Sequence, residues 1–288
     1  MRGDDARMTK TARVLLWCLP AALYCGDALA WGLYTHVYYA QLLLWAVPLA
    51  DPRFRRAVRR FPELLMAGAC LPDVALFSGQ ARARELRVTH QWSAAQRLLA
   101  RARTDADKAL AVGYASHLLT DVIAHNYFVP AHETLWLDTP MMTHAAAECA
   151  MDAHIAPHLF VSPRRVLARH LDVVSDYAAR HFECGVDASR RAALYLLRGE
   201  STLRAARLSQ LLYRAARTMD RSLVRRFDYY ARETTARLRQ IDRVIAGDAP
   251  AWRPEVECPR QARHELRGHS IAALACRIPL PADLFSAR

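Results

Sequence analysis

The chain has 288 residues, with 40 Lys or Arg against 28 Asp or Glu, a formal net charge of +12 and 53% apolar residues. That size supports one large domain or two small ones with a substantial core, and ten glycines without alternating apolar runs between turn pairs argue against a sheet fold. Only Lys10 and Lys108 are lysines; the remaining cations are arginines, whose planar fork suits phosphate in a membrane surface, a phosphodiester or a nucleic acid, although a spread of charge is ordinarily a solvated surface.

At the N-terminus, Arg7, Lys10 and Arg13 precede an apolar run from Val14 to Cys25 and then Ala28-Leu29-Ala30, the pattern of a signal peptide over 1–30 cleaved before Trp31. The run is far short of the roughly 20 residues of a spanning helix, and the bulky Tyr24 argues against lipid attachment at Cys25. The expected location is therefore exported, periplasmic or extracellular. Cleavage would leave Trp31 with a free amine beside its own carbonyl, a main-chain chelate, and His36 follows five residues on. The apolar stretch from Trp31 to Ala50 is interrupted by His36, Gln41 and Pro48, so it reads as a buried helix.

Helices are expected at about 32–47, 51–60, 62–69, 93–102, 104–127, 140–156, 163–182, 187–198, 200–218 and 221–246. Asp51-Pro52, Thr139-Pro140 and Ser162-Pro163 each set a capping residue before a proline suited to a first helical turn, and Ser93 and Thr104 are further caps. The fold class is all-α, a single multi-helix bundle over 31–288, with the ligand-type residues in 31–160 and arginine-rich helices completing the bundle in 161–288. Cys18 and Cys25 leave with the signal. Cys70, Cys149, Cys184, Cys258 and Cys276 match no zinc-finger spacing and read as core thiols, with Cys258–Cys276 the favoured disulfide on proximity.

His117, Asp121 and His125 stand at i, i+4 and i+8, and each step of four drifts only about 40° around a helix, so the three share one face. A second helix carries His144 and Glu148 at i, i+4, followed by Asp152 and His154. Against flanking Leu118, Leu119, Val122 and Ile123 such titratable groups are costly to bury without a partner. Metal coordination removes that penalty, and imidazole with carboxylate is a zinc donor set. Upstream, a turn at Pro72-Asp73 and the lone His90 in Thr89-His90-Gln91 complete the candidates.

Taken in order, Trp31, His36, Pro72-Asp73, His90, His117-x3-Asp121 and His144-x3-Glu148 resemble the zinc-dependent phospholipase C family, whose relatives include fungal single-strand-specific nucleases. The resemblance spans residues 31 to about 160. It implies two or three zinc ions in an all-helical bundle: Trp31 and His36 on one, Asp121 bridging it to a second held by Asp73, His90 and His117, and His144 with Glu148 on a third. The last histidine departs from pattern. Relatives place it six residues after the bridging aspartate, where this chain has Tyr127; His125 is the choice here, with His132 in reserve.

The implied activity is phosphodiester hydrolysis by zinc-bound hydroxide, cleaving a phospholipid to diacylglycerol and a phosphorylated head group, with Asp73 either a plain ligand or also the general base. Tyr34, Tyr38, Tyr39 and Trp92 are candidates to border the head-group pocket, core packing being the expectation for any one of them. The implied partner is a phospholipid or membrane surface, with no protein partner inferred. Two alternatives stand beside this reading. One is a nuclease on the same metals, with nucleic acid as partner; the other is a non-catalytic, zinc-stabilised helical protein.

Overall fold

A computed structural model describes residues 32–136, 140–254, 280 and 282–285. Among them the regular elements are all helical: α1 (Leu33–Leu42), α2 (Pro52–Arg60), α3 (Pro62–Cys70), α4 (Trp92–Arg101), α5 (Asp105–Ile123), α6 (Val129–Leu135), α7 (Pro140–Ile155), α8 (Pro163–Arg169), α9 (Leu171–Phe182), α10 (Val186–Ala205), α11 (Leu208–Met219), α12 (Leu223–Leu238) and α13 (Ile241–Ile245), with short helical turns between. The segment 1–30 expected to be a signal peptide, Trp31, Thr139, Cys258 and Cys276 lie outside the described residues, whereas Cys70, Cys149 and Cys184 are free thiols.

Local chemistry sets the helix starts. Asp51 Oδ1 accepts from Arg53 N at 2.7 Å ahead of Pro52, and Ser162 Oγ accepts from Arg165 N at 3.3 Å. Thr104 and Asp107 form a reciprocal capping box that starts α5. Ser93 does not cap: α4 already begins at Trp92, so the serine lies inside its first turn.

Tertiary contacts break three helices expected to be longer. His170 separates α8 from α9 while its Nε2 pairs with Glu63 Oε2 on α3 at 2.8 Å. Arg207, with φ of 52°, separates α10 from α11. A turn at Arg239 and Gln240 ends α12 where the Gln240 amide donates to the Ala282 carbonyl and accepts from Leu284 N. At the other end of the chain, α1 stops at Leu42, closed by Val47 N donating to the Leu42 carbonyl at 2.9 Å.

The centre of the bundle is α5, buried on every side from Ala109 to Ile123. Its closest neighbour is α3. A Cβ at Gly113 would lie 1.9 Å from the Leu65 carbonyl oxygen, and one at Gly68 2.2 Å from that of Leu110, so the two backbones touch where only glycine fits. One contiguous apolar core joins these helices to Leu196, Phe227, Tyr230 and Val244 of the arginine-rich half.

Candidate metal centre

The close crossing of α3 and α5 brings the end of α3, the Pro72–Phe77 turn and the middle of α5 together, and α1 packs on both helices. Five of the sequence candidates meet there. Asp121 Oδ1 lies 3.2 Å from His36 Nε2, and its Oδ2 lies 2.9 Å from His117 Nε2 and 3.8 Å from His90 Nε2. Asp73 Oδ1 is 3.7 Å from Nε2 of both His90 and His117, and those two ring nitrogens are 3.3 Å apart. All five side chains are buried.

The opposite edge of each ring is spoken for. Thr120 Oγ1 donates its proton to the His117 carbonyl at 2.9 Å, so at 3.2 Å it accepts from His36 Nδ1. By the same logic Thr89 Oγ1 donates to the Pro72 carbonyl at 2.7 Å and makes a long 3.5 Å contact as acceptor with His90 Nδ1. His117 Nδ1 donates to the Ala69 carbonyl at 2.8 Å. Each Nε2 is thereby left as a lone pair aimed inward, the tautomer a metal ligand needs.

Among the described residues His36 Nε2 meets no hydrogen-bond donor, and the Nε2 atoms of His90 and His117 face only each other and carboxylate oxygens. His36 Nε2, Asp73 Oδ1 and both Asp121 oxygens are buried without an aligned hydrogen bond, a costly state unless a cation completes it. Zinc fits the spacing. With bonds near 2.0–2.1 Å, ligand atoms of a tetrahedral site stand about 3.4 Å apart, which the observed 2.9–3.8 Å separations bracket. Burial pushes the Asp121 carboxyl upward, but its electrostatic attraction to His117 and His36 outweighs that and holds the group well below the usual carboxylate range.

A second group forms one turn further along. After Ile123 the chain widens into a single π turn, Ala124–Phe128, that carries His125. His125 Nε2 lies 3.9 Å from Glu148 Oε1, and His144 Nε2 lies 2.7 Å from the same oxygen. His125 Nδ1 donates to the Pro254 carbonyl, again leaving Nε2 inward. Burial, with His144 and His90 adding to it against the pull of Asp121, lowers the His125 pKa to about 4. Burial and the carboxylates Asp121, Asp73 and Asp152 raise Glu148 well above its ordinary range, which a cation would reverse.

His132 does not join this group. Its Nδ1 donates to the Phe128 carbonyl at 2.7 Å and its Nε2 accepts from Arg226 Nε at 3.1 Å, so both ring nitrogens are occupied. Burial and Arg226 together hold it well below the usual histidine pKa. Asp152 also turns away. Its carboxylate accepts from Thr35 N at 2.9 Å, Thr35 Oγ1 at 2.8 Å, Tyr34 N at 3.3 Å and Arg204 Nη2 at 3.1 Å, capping α1 from α7. Gly32 is required beside it, since a Cβ there would lie 2.3 Å from that carboxylate. His154 reaches Tyr213 and Asp228 instead of either cluster.

Of the aromatic residues expected near a head-group pocket, Tyr39 is fully buried core, and Tyr34 lies under the Arg204 guanidinium, 3.5 Å from ring centre to Cζ. Trp92 donates to the Trp252 carbonyl at 2.8 Å and packs against the core. Tyr38 is half-buried beside His158. The residues that sequence reasoning missed are the orienting ones, Thr89, Thr120 and Arg204, which donates both to Asp152 and, through Nε at 2.6 Å, to Glu200 Oε1. Thr120 carried a signal: it lies three residues after His117, flanking the stripe, where a threonine hydroxyl can back-bond to the His117 carbonyl.

A bundle that is helical throughout its described regular elements, with buried imidazoles and carboxylates gathered at metal-ligand spacing, fits the class of helical metalloproteins. Residues 35–184, 150 of the 288, match the family model described as zinc dependent phospholipase C. The chain belongs to that zinc-dependent hydrolase family. No match was found among the curated proteins or among the solved structures compared.

Proposed function

We propose that the protein is an exported phosphodiester hydrolase of phospholipase C type, cleaving phospholipids to diacylglycerol and a phosphorylated head group. The observation that carries this reading is the cluster around Asp121, where four buried acceptor atoms lack a hydrogen-bond partner while three histidines are locked in the ligand tautomer. His36 and the Trp31 main chain would hold one zinc, Asp121 would bridge it to a second held by Asp73, His90 and His117, and His125, His144 and Glu148 would hold a third. Zinc, when bound, supplies a nucleophilic hydroxide at neutral pH and neutralises charge that builds on phosphate oxygens.

The chain's own contribution is to fix these donors and to exclude water, since all but His144 among the described ligands are buried. Asp73 would act either as a plain ligand or also as the base that takes a proton from an attacking water, its Oδ1 being buried without a hydrogen bond. Cleavage between Ala30 and Trp31 would generate the chelating amine, and intact mass of secreted protein checks it. A start at Met1, or lipid on Cys25, removes the main-chain chelate.

The decisive experiment assays zinc-loaded protein in parallel on phosphatidylcholine dispersions and on single-stranded DNA and RNA, with and without chelator. Chelator-sensitive release of phosphorylated head group is expected. Cleavage of nucleic acid without phospholipid turnover assigns the nuclease reading, and no turnover by metal-replete protein assigns a structural role to zinc.

A further inference from the structure

Two loops far apart in sequence meet at the surface. Gln41 binds them together, its amide donating to the His158 carbonyl at 2.7 Å and accepting from Phe160 N at 3.2 Å. On this frame Trp45 and Phe160 pack edge to face with ring centroids 5.1 Å apart, yet they are 54% and 75% exposed. No other Phe, Tyr or Trp is exposed among the described residues. Stacking on each other leaves most of both rings in water, which a folded surface ordinarily avoids.

The sequence around the pair is unlike a solvated loop. From Leu43 to Ala50 every residue is apolar, and Trp45, Ala46, Pro48 and Ala50 are exposed. From Ala156 to Ala168 there is no acid, and Arg164 and Arg165 are exposed without an ion pair among the described residues. The acids nearest the first loop are engaged. Asp242 accepts from Ala50 N at 2.9 Å, and Asp51 is paired with Arg53. Apolar rings beside unpaired arginines, on a chain of net charge +12, are complementary to a surface that is greasy beneath and anionic on top.

We propose that Trp45 and Phe160, with Arg164 and Arg165, form an interfacial site that docks the protein on anionic phospholipid membranes. The rings enter the acyl boundary and the guanidinium groups meet lipid phosphates. The proposal rests on the phospholipid reading of the metal centre, because a hydrolase of membrane lipid must reach its substrate at that surface.

The test is flotation of the zinc-loaded protein with vesicles of phosphatidylcholine alone and of equimolar phosphatidylcholine and phosphatidylglycerol, read alongside tryptophan quenching by brominated acyl chains. Binding is expected to favour anionic vesicles and to weaken with salt. The double variant Trp45→Ala, Phe160→Ala should bind at least about tenfold more weakly, and Trp45→Phe should bind normally but lose most of the quenching. Arg164→Glu with Arg165→Glu should abolish the preference for anionic vesicles. All variants should keep the parent's melting temperature and its turnover of monomeric short-chain phosphatidylcholine. Parent-like vesicle binding by the double variant, or no quenching of Trp45, overturns the proposal. So does self-association of the parent that the variant loses while neither binds vesicles, since that makes a second copy the occupant. Patch-dependent vesicle binding with no turnover of monomeric substrate leaves the docking site standing and removes the hydrolase reading instead.

Discussion

The cluster around Asp121 and the cluster around Glu148 use the same donor types and differ in how they are held. The first gathers side chains from α1, the Pro72–Phe77 turn, the loop before α4 and α5, and every ring in it is oriented by a bond from the far nitrogen. The second comes from one π turn and one helix, its His144 and Glu148 already satisfy each other at 2.7 Å, and its glutamate is pushed toward the neutral form. Identical chemistry thus arrives preorganised in one place and provisional in the other. The first should bind zinc more tightly and contribute more of the metal's stabilisation.

The largest break of this comparison is Asp121→Ala set against His144→Ala. Ligand excess of about a thousandfold over Kd stabilises a native state by about 4 kcal/mol. Asp121→Ala should forfeit an increment of that order together with most of the bound zinc. His144→Ala should lose a smaller share of both. Elemental analysis and thermal melts with and without zinc read the difference, and equal losses would erase the asymmetry.

Gly113→Ala strikes the scaffold of the first cluster alone. The new Cβ would meet a carbonyl oxygen that cannot rotate away, so α3 must shift from α5 at about 3 kcal/mol of stability. Zinc binding at the first cluster should weaken with it while His125, His144 and Glu148 keep theirs. Denaturant melts and metal titration follow both quantities.

How much of this was legible in the sequence follows the same division. His117 and Asp121 announced themselves by helical spacing, and His144 and Glu148 likewise, because a regular helix maps sequence offset onto direction. His36, Asp73 and His90 were legible only through their order along the chain, since nothing local fixes where three separate segments meet. The π turn was invisible: the expected helix ran to 127, and a ring that opens by one residue leaves no mark in apolar periodicity. Asp152 fits the His144 stripe perfectly well, yet the first turn of α1 claims it, a tertiary choice no spacing rule encodes. The breaks at His170, Arg207 and Gln240 have that character too.

A pH experiment sharpens the role of the Arg204 contacts to Asp152 and Glu200. Burial pushes Glu200 up to about 7 against the pull of Arg204. A carboxyl whose folded pKa lies above its unfolded value holds its proton longer in the native state, so stability is greatest below the unfolded pKa and falls as pH rises toward the folded one. Between about pH 5 and 7 the zinc-free protein should lose about 2 kcal/mol from this group, and Glu200→Gln should flatten that slope. An unchanged slope would take Glu200 out of the account.

The smallest effect expected is from Thr120→Val, which keeps shape and removes the hydroxyl that orients His36. Such orienting partners are worth about tenfold to a hundredfold in metal affinity. Competition with a chromogenic chelator measures it. A loss confined to the weaker site would reverse the ranking of the two clusters.

The bond from His125 to the Pro254 carbonyl joins residues 129 positions apart, and the neighbouring amide of Asn126 reaches the Arg253 carbonyl. All side chains that meet at Asp121 are in hand once residue 121 has been made. The acceptor that aims His125 arrives more than a hundred residues later, a delay on the order of ten seconds at ordinary rates of synthesis. The two clusters therefore differ in age as well as in rigidity. A growing chain holds every described donor of the first cluster early, while the second waits for the segment that carries Pro254.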